Sequence, residues 1–119
     1  MAWDVEYTNE LEGWWDKLTI DEQDSVESCI SFLQHYGPTL GRPLVDTVKG
    51  SRHPNMKELR PPATNIRILF AFDPRRTAIL LIGGDKTNRW QKWYDENIPI
   101  ADALYDDYLE ELHKEGKLP

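Results

Sequence analysis

Apolar residues recur along this chain with two different periods, and the switches between them mark out its elements. Trp3-Asp4-Val5-Glu6-Tyr7 alternates apolar and acidic, which predicts a strand with one buried face. From Thr8 or Asn9 the spacing becomes helical, with Leu11, Trp14, Trp15 and Leu18 on the inner side of a short helix reaching about Leu18. Thr19 and Glu22 have capping-box spacing. The helix they open carries Val26, Cys29, Ile30 and Leu33 on one stripe and runs to about Tyr36, where Gly37-Pro38 stops it. Two helices joined this closely form an αα-hairpin.

The period of two then returns. Residues 37–55 are rich in Gly, Pro and polar side chains, with a short strand around Val45–Val48. Met56 to Arg60 reads as a strand that Pro61-Pro62 ends. In Asn65–Phe72, Ile66, Ile68, Phe70 and Phe72 share one face, and Arg67, Leu69 and Ala71 share the other. Asp73-Pro74-Arg75-Arg76 is a turn with Pro at its second position. Thr77–Ile82 is an apolar strand that Gly83-Gly84 terminates. These strands predict an antiparallel meander. The polar, aromatic stretch that follows becomes helical near Asn88. Pro99 breaks that helix or opens a last one, with Ala101, Leu104, Tyr105, Tyr108 and Leu112 at helical spacing. The expected class is α+β: a meander sheet with the hairpin on one face, the opposite face carrying Arg60 and Arg67, and an additional helix over residues 99–117. No repeat or low-complexity tract divides the 119 residues, so residues 1–119 are expected to form one domain.

Charge changes the picture more than composition does. The net charge is −7, but residues 1–41 hold nine acids and one base, residues 42–92 eleven bases and four acids, and residues 93–119 eight acids and two bases. A basic middle between acidic ends presents a local field to a polyanion. The alternative is that the helices have solvated acidic faces and the strands drew the bases. Cys29 stands alone, makes no internal disulfide, and lies on an apolar stripe, where it reads as a small buried hydrophobe. Asp4 and Glu6 arrive at once with no apolar run after them, and nothing approaches the length of a membrane span, so a cytoplasmic protein without a leader is expected.

Familiar catalytic motifs are absent. Gly83-Gly84 is too little for a phosphate loop, and His35, His53 and His113 lack metal-ligand spacing. What remains is Arg60 and Arg67 on adjacent strands. A guanidinium in an apolar meander must be solvated, paired or aimed at a ligand. Glu58, two residues from Arg60, shares its face. The three are either an internal ion pair or part of a site.

The order strand, two helices, antiparallel meander resembles the RelE/ParE toxin superfamily, and most of all its HigB-type branch. Met56-Lys57-Glu58-Leu59-Arg60 resembles that family's Glu-Leu-Arg strand. Arg67-Ile68-Leu69-Phe70 resembles the strand after it, and Ile79 through Thr87 resembles the last strand with its lysine-bearing exit. The matching pattern covers most of residues 1–95. The resemblance implies a RelE-like fold and the toxin of a type II toxin–antitoxin system. It implies an mRNA endonuclease acting in the ribosomal A site without metal or other cofactor. The RNA 2′-OH would attack the adjacent phosphate, helped by a base, a cationic clamp and an acid for the leaving 5′-oxygen. Arg67 matches the family's central strand arginine and Lys57 a position where such toxins place lysine; with Arg60, Lys86 and Glu58 they form the implied catalytic set. Arg89, Lys92, Arg52, Lys49 and Trp90 are the candidates for holding RNA or ribosome. Where many relatives end on a catalytic Tyr or His, this chain runs on through an acidic helix, and Tyr94, Asp85 and His53 stay open as the general acid. Trp90 and Trp93 would stack on bases or pack on the core. The implied partners are the ribosome, mRNA and a HigA-like helix-turn-helix antitoxin, with no membrane. The competing function, from the ParE branch, is non-enzymatic binding of DNA gyrase.

Overall fold

The computed structural model describes residues 2–118. Its elements are β1 (Asp4–Tyr7), α1 (Asn9–Trp15), α2 (Ile20–Tyr36), β2 (Val45–Thr47), β3 (Lys57–Leu59), β4 (Ile66–Phe72), β5 (Thr77–Asp85) and α3 (Trp90–Lys114). One five-stranded sheet has the order β1-β5-β4-β3-β2. Strands β2 to β5 form the expected antiparallel meander. β1 departs from it. It pairs parallel to β5, from Asp4 against Thr77 to Tyr7 against Leu80, so the sheet is mixed.

The sheet has a core on each face. Ile66, Ile68 and Phe70 of β4, with Leu59 and Leu80, meet Leu11, Val26, Cys29 and Leu33 of the α1–α2 hairpin. Leu69 and Ala71, with Met56, Ile79 and Leu81, meet Trp93, Ile98, Ala101 and Tyr105 of α3. The alternation in β4 is thus read on both sides. Local signals set the hairpin: Thr8 caps α1 through Leu11 N–H, and Thr19 and Glu22 make a complete capping box on α2. α1 stops at Trp15, a turn short of Leu18. Cys29 is buried, and burial pushes its thiol up to about 11, in keeping with an inert core position.

Two expectations at the C-terminal end need correction. Gly83-Gly84 does not end the last strand; β5 continues to Asp85. The glycines are there because Trp14 from the hairpin packs where a side chain on Gly83 would lie, and Trp93 from α3 where one on Gly84 would lie. Nor does Pro99 divide two helices, since α3 runs unbroken through it. A proline inside a helix costs about 3 kcal/mol. Burial of Trp93 and Ile98 before it, and of Ala101, Tyr105 and Leu112 after it, offsets that cost.

Polar ties reinforce this packing. Asp102 of α3 accepts the Ser51 hydroxyl at 2.5 Å and Arg52 N–H at 3.0 Å, while Asp106 meets Arg52 and His53. Tyr108 donates to the buried Asp73 carboxylate, which also holds Arg75. The face that carries Arg60 and Arg67 is therefore roofed by a helix. Among the described residues no helix is long and apolar enough to cross a membrane.

Candidate functional site

Strand alternation sorts the candidate residues. Glu58, Arg60 and Arg67 point to the α3 face, because Glu58 stands opposite Leu69 and Arg67 opposite Gly84. Lys86 follows β5 and joins them, and the first turns of α3 bring in Trp90 and Tyr94. Lys57 does not join. It stands opposite Phe70 and so faces the hairpin side. Asp85 is opposite Ile66, also on the hairpin side, and its carboxylate caps the turn through Thr87 N–H at 2.8 Å. His53 and Arg52 are bound to Asp106, more than four turns or about 24 Å along α3 from Trp90. His53 stacks edge-on against Tyr105. Lys49 is exposed in the same loop. Arg89 pairs with Glu96, and Lys92 is exposed on α3. Of the two tryptophans, Trp93 is buried in the core and Trp90 is 66% exposed.

The residues that do meet are largely buried. Relative exposure is 8% for Glu58, 7% for Arg67 and 3% for Lys86. Glu58 Oε1 lies 3.8 Å from Arg67 Nε and 3.7 Å from Arg60 Nε, close enough for charge pairing but too far for a hydrogen bond. Arg67 Nη1 donates to the Ile66 carbonyl at 2.7 Å, while its Nε is buried without a hydrogen-bond partner among the described residues. Arg60 is 4.0 Å from Asp46, a carboxylate already engaged by Arg42. Lys86 Nζ sits 3.6 Å from the centroid of the Trp90 ring and 5.8 Å from that of Tyr94.

Arg60 and Arg67 therefore both face the buried Glu58 carboxylate, and the buried Lys86 feels their charges without an ion-pair partner of its own among the described residues. The electrostatic signature follows: burial, and then the positive charges of Arg67 and Arg60, hold the Lys86 ammonium below its ordinary pKa. Tyr94 is shifted the other way. Burial, followed by the nearby Glu58 carboxylate, pushes the phenol up to about 12, so it keeps its proton at neutral pH. An unpaired buried guanidinium nitrogen among like charges is costly unless an anion completes it.

Comparison with known proteins fits this architecture. A family profile described as Phage derived protein Gp49-like (DUF891) matches residues 13–106. The chain belongs to the Gp49-like family. The domain is 54% identical to HigB3 of Mycobacterium tuberculosis, named as a candidate toxin, over 90% of this chain and 94% of that protein. It is 49% identical to HigB2 of the same organism, over 83% of this chain but only 51% of that one, so it spans about half of HigB2. The fold of the Gp49-like domain is that of RelE. Isolated Escherichia coli RelE superposes with a TM-score of 0.59 at 10% identity, over 71% of this chain and 84% of that one. RelE in the Pyrococcus horikoshii RelE–RelB complex superposes with a TM-score of 0.60 at 13% identity, over 76% and 99%. The domain is thus HigB-like in sequence and RelE-like in fold.

Sequence reasoning found the cluster but missed its roof. It also missed the Asp73–Arg75–Tyr108 tie that helps hold the roof in place. The sequence signal was faint: a turn aspartate and a helical tyrosine 35 residues apart.

Proposed function

We propose that this domain is the toxin of a type II toxin–antitoxin system and cleaves mRNA on the ribosome. One observation carries the catalytic reading: the buried excess of positive charge around Arg67, whose Nε has no hydrogen-bond partner among the described residues. A phosphodiester brings the missing anion, and its phosphorane transition state carries more charge than the ground state, so fixed cations bind the transition state preferentially. Arg67 and Lys86, with Arg60, would hold the non-bridging oxygens. Glu58 would accept the 2′-OH proton as that oxygen attacks phosphorus. The neutral Tyr94 phenol would protonate the 5′-oxygen as the P–O5′ bond breaks, leaving a 2′,3′-cyclic phosphate and a free 5′-OH. Of the three acids left open by the sequence, Tyr94 alone stands in the cluster. Trp90, exposed above Lys86, offers a ring for a base to stack on. Substrate entry requires the first turn of α3 to move aside.

The named HigB relatives and the solved RelE–RelB complexes support an antitoxin partner. A helix-turn-helix antitoxin, the ribosome as platform and a cytoplasmic location complete the proposal, with residues 1–119 acting as one domain. The test is to induce the chain alone and map transcript ends. New 5′-OH ends within translated mRNA, lost in an Arg67→Met variant, are expected. Intact transcripts would overturn the nuclease, and inhibited DNA supercoiling in their place would point to gyrase.

A further inference from the structure

We propose that the groove between β1 and the α1–α2 hairpin is the docking site for a cationic, apolar-anchored segment of the antitoxin. The proposal rests on the toxin–antitoxin reading for the existence of that partner. It does not rest on the catalytic cluster, which occupies the other face of the sheet.

The groove has a volume of about 450 Å³. Val5, Leu11, Ile30 and Leu80 supply apolar wall, and exposed Glu12, Asp16 and Glu27 stand around it. Among the described residues no Lys, Arg or His lines it. None of these three carboxylates has an ion-pair partner among the described residues, whereas most of the chain's arginines do. Tyr7, at the mouth, is 59% exposed. Alongside runs the edge of β1, which among the described strands pairs with β5 alone, so its outward backbone groups are open to pairing.

These features select the occupant. Apolar side chains fill the floor, and Lys or Arg satisfies the rim and is steered there by the −8 charge of residues 1–41. Nucleic acid is repelled by the same carboxylates. A second copy of this chain is a poor fit, because its own basic residues are mostly buried, as Arg67 and Lys86 are, or paired, as Arg42, Arg52, Arg75 and Arg89 are. A basic segment of another protein meets both requirements. An antitoxin seated there would leave Arg67 untouched and neutralise the toxin by its bulk.

The test uses the full chain and the purified product of the neighbouring open reading frame, titrated by calorimetry at two salt concentrations. The triple variant Glu12→Lys/Asp16→Lys/Glu27→Lys and the single variant Ile30→Glu alter partly or fully exposed positions, and thermal melting checks their fold. Each is expected to bind about 100-fold more weakly or worse, with the salt dependence flattened in the triple variant. A photo-cross-linking residue at Gln34 should capture a Lys/Arg-bearing apolar segment of the partner. Unchanged affinity in the triple variant, absence of binding by the unmodified chain, or a cross-link to a second copy of this chain would overturn the proposal. Failure of the toxin reading shows differently: the unmodified chain would then neither arrest growth nor cut mRNA, whatever the groove variants do.

Discussion

Replacing Arg67 by methionine separates a catalytic arginine from a structural one. Methionine fills most of the volume of the buried arginine stem without its charge. The change discards one hydrogen bond, Nη1 to the Ile66 carbonyl at 2.7 Å, worth about 1 kcal/mol. It also discards a loose pairing with Glu58 at 3.8 Å, while Arg60 still faces that carboxylate at 3.7 Å. Against this, it removes a buried donor without a partner, whose burial costs about 1–3 kcal/mol, and it relieves the repulsion on Lys86. The balance favours the variant by about 1 kcal/mol, or roughly 3–5 °C in Tm for a domain of this size. Cleavage should fall by about 10²–10³-fold, the usual loss for one well-placed donor. Denaturant melts and mRNA cleavage in a translating extract, on the same preparation, measure both. Arg67→Lys should recover cleavage only in part, because an ammonium cannot make the bidentate contact. A loss of about 2 kcal/mol or more in Arg67→Met, or full cleavage by a folded variant, would refute the reasoning and return Arg67 to the role of structural partner of Glu58.

Other outcomes follow from the same geometry. Tyr94→Phe should keep phosphate-backbone binding and lose cleavage by about 10²-fold or more, as seen in single-turnover rates against RNA affinity. Stability should depend on pH with opposite signs at two residues. Lys86 has a folded pKa below its ordinary 10.5, so in that interval the unfolded chain holds more protons and stability rises with pH; Lys86→Met should remove this rise. Tyr94 is raised from 10.0 to about 12, so between those values the folded chain holds more protons and stability falls with pH; Tyr94→Phe should shallow that fall in denaturant midpoints. Gly84→Ala should lower stability by about 1–3 kcal/mol, because the new methyl meets the Trp93 ring, and it should expose Trp93 to fluorescence quenchers.

The sheet, the hairpin and the polarity of β4 were legible in the sequence because each rests on a local signal. The capping box at Thr19 and Glu22 sets one helix start, and the alternation of Ile66, Ile68 and Phe70 against Arg67 and Leu69 sets two faces. Less visible was anything decided by long-range packing. Gly83-Gly84 looks like a strand end until two indoles arrive from opposite sides. Pro99 looks like a helix end until the apolar residues flanking it are seen to share one wall. Among the candidate residues, Arg67, Arg60, Glu58, Lys86 and Tyr94 do converge. Lys57 separates from them by one step of strand alternation, which a motif match along the chain does not register.

The parallel pairing of β1 with β5 has a kinetic consequence. Asp4 must wait for Thr77, a separation of 73 residues, before its strand has a partner. During synthesis at about 5–20 residues per second, the hairpin is available several seconds before the sheet that it covers. Loop closure of this length adds to contact order and slows the final step, so β1 should dock late in folding. The wall that β1 and Leu80 contribute to the groove exists only after that event. A partner that recognises this wall can engage only a chain whose fifth strand is already in place, and it would distinguish finished molecules from those still emerging.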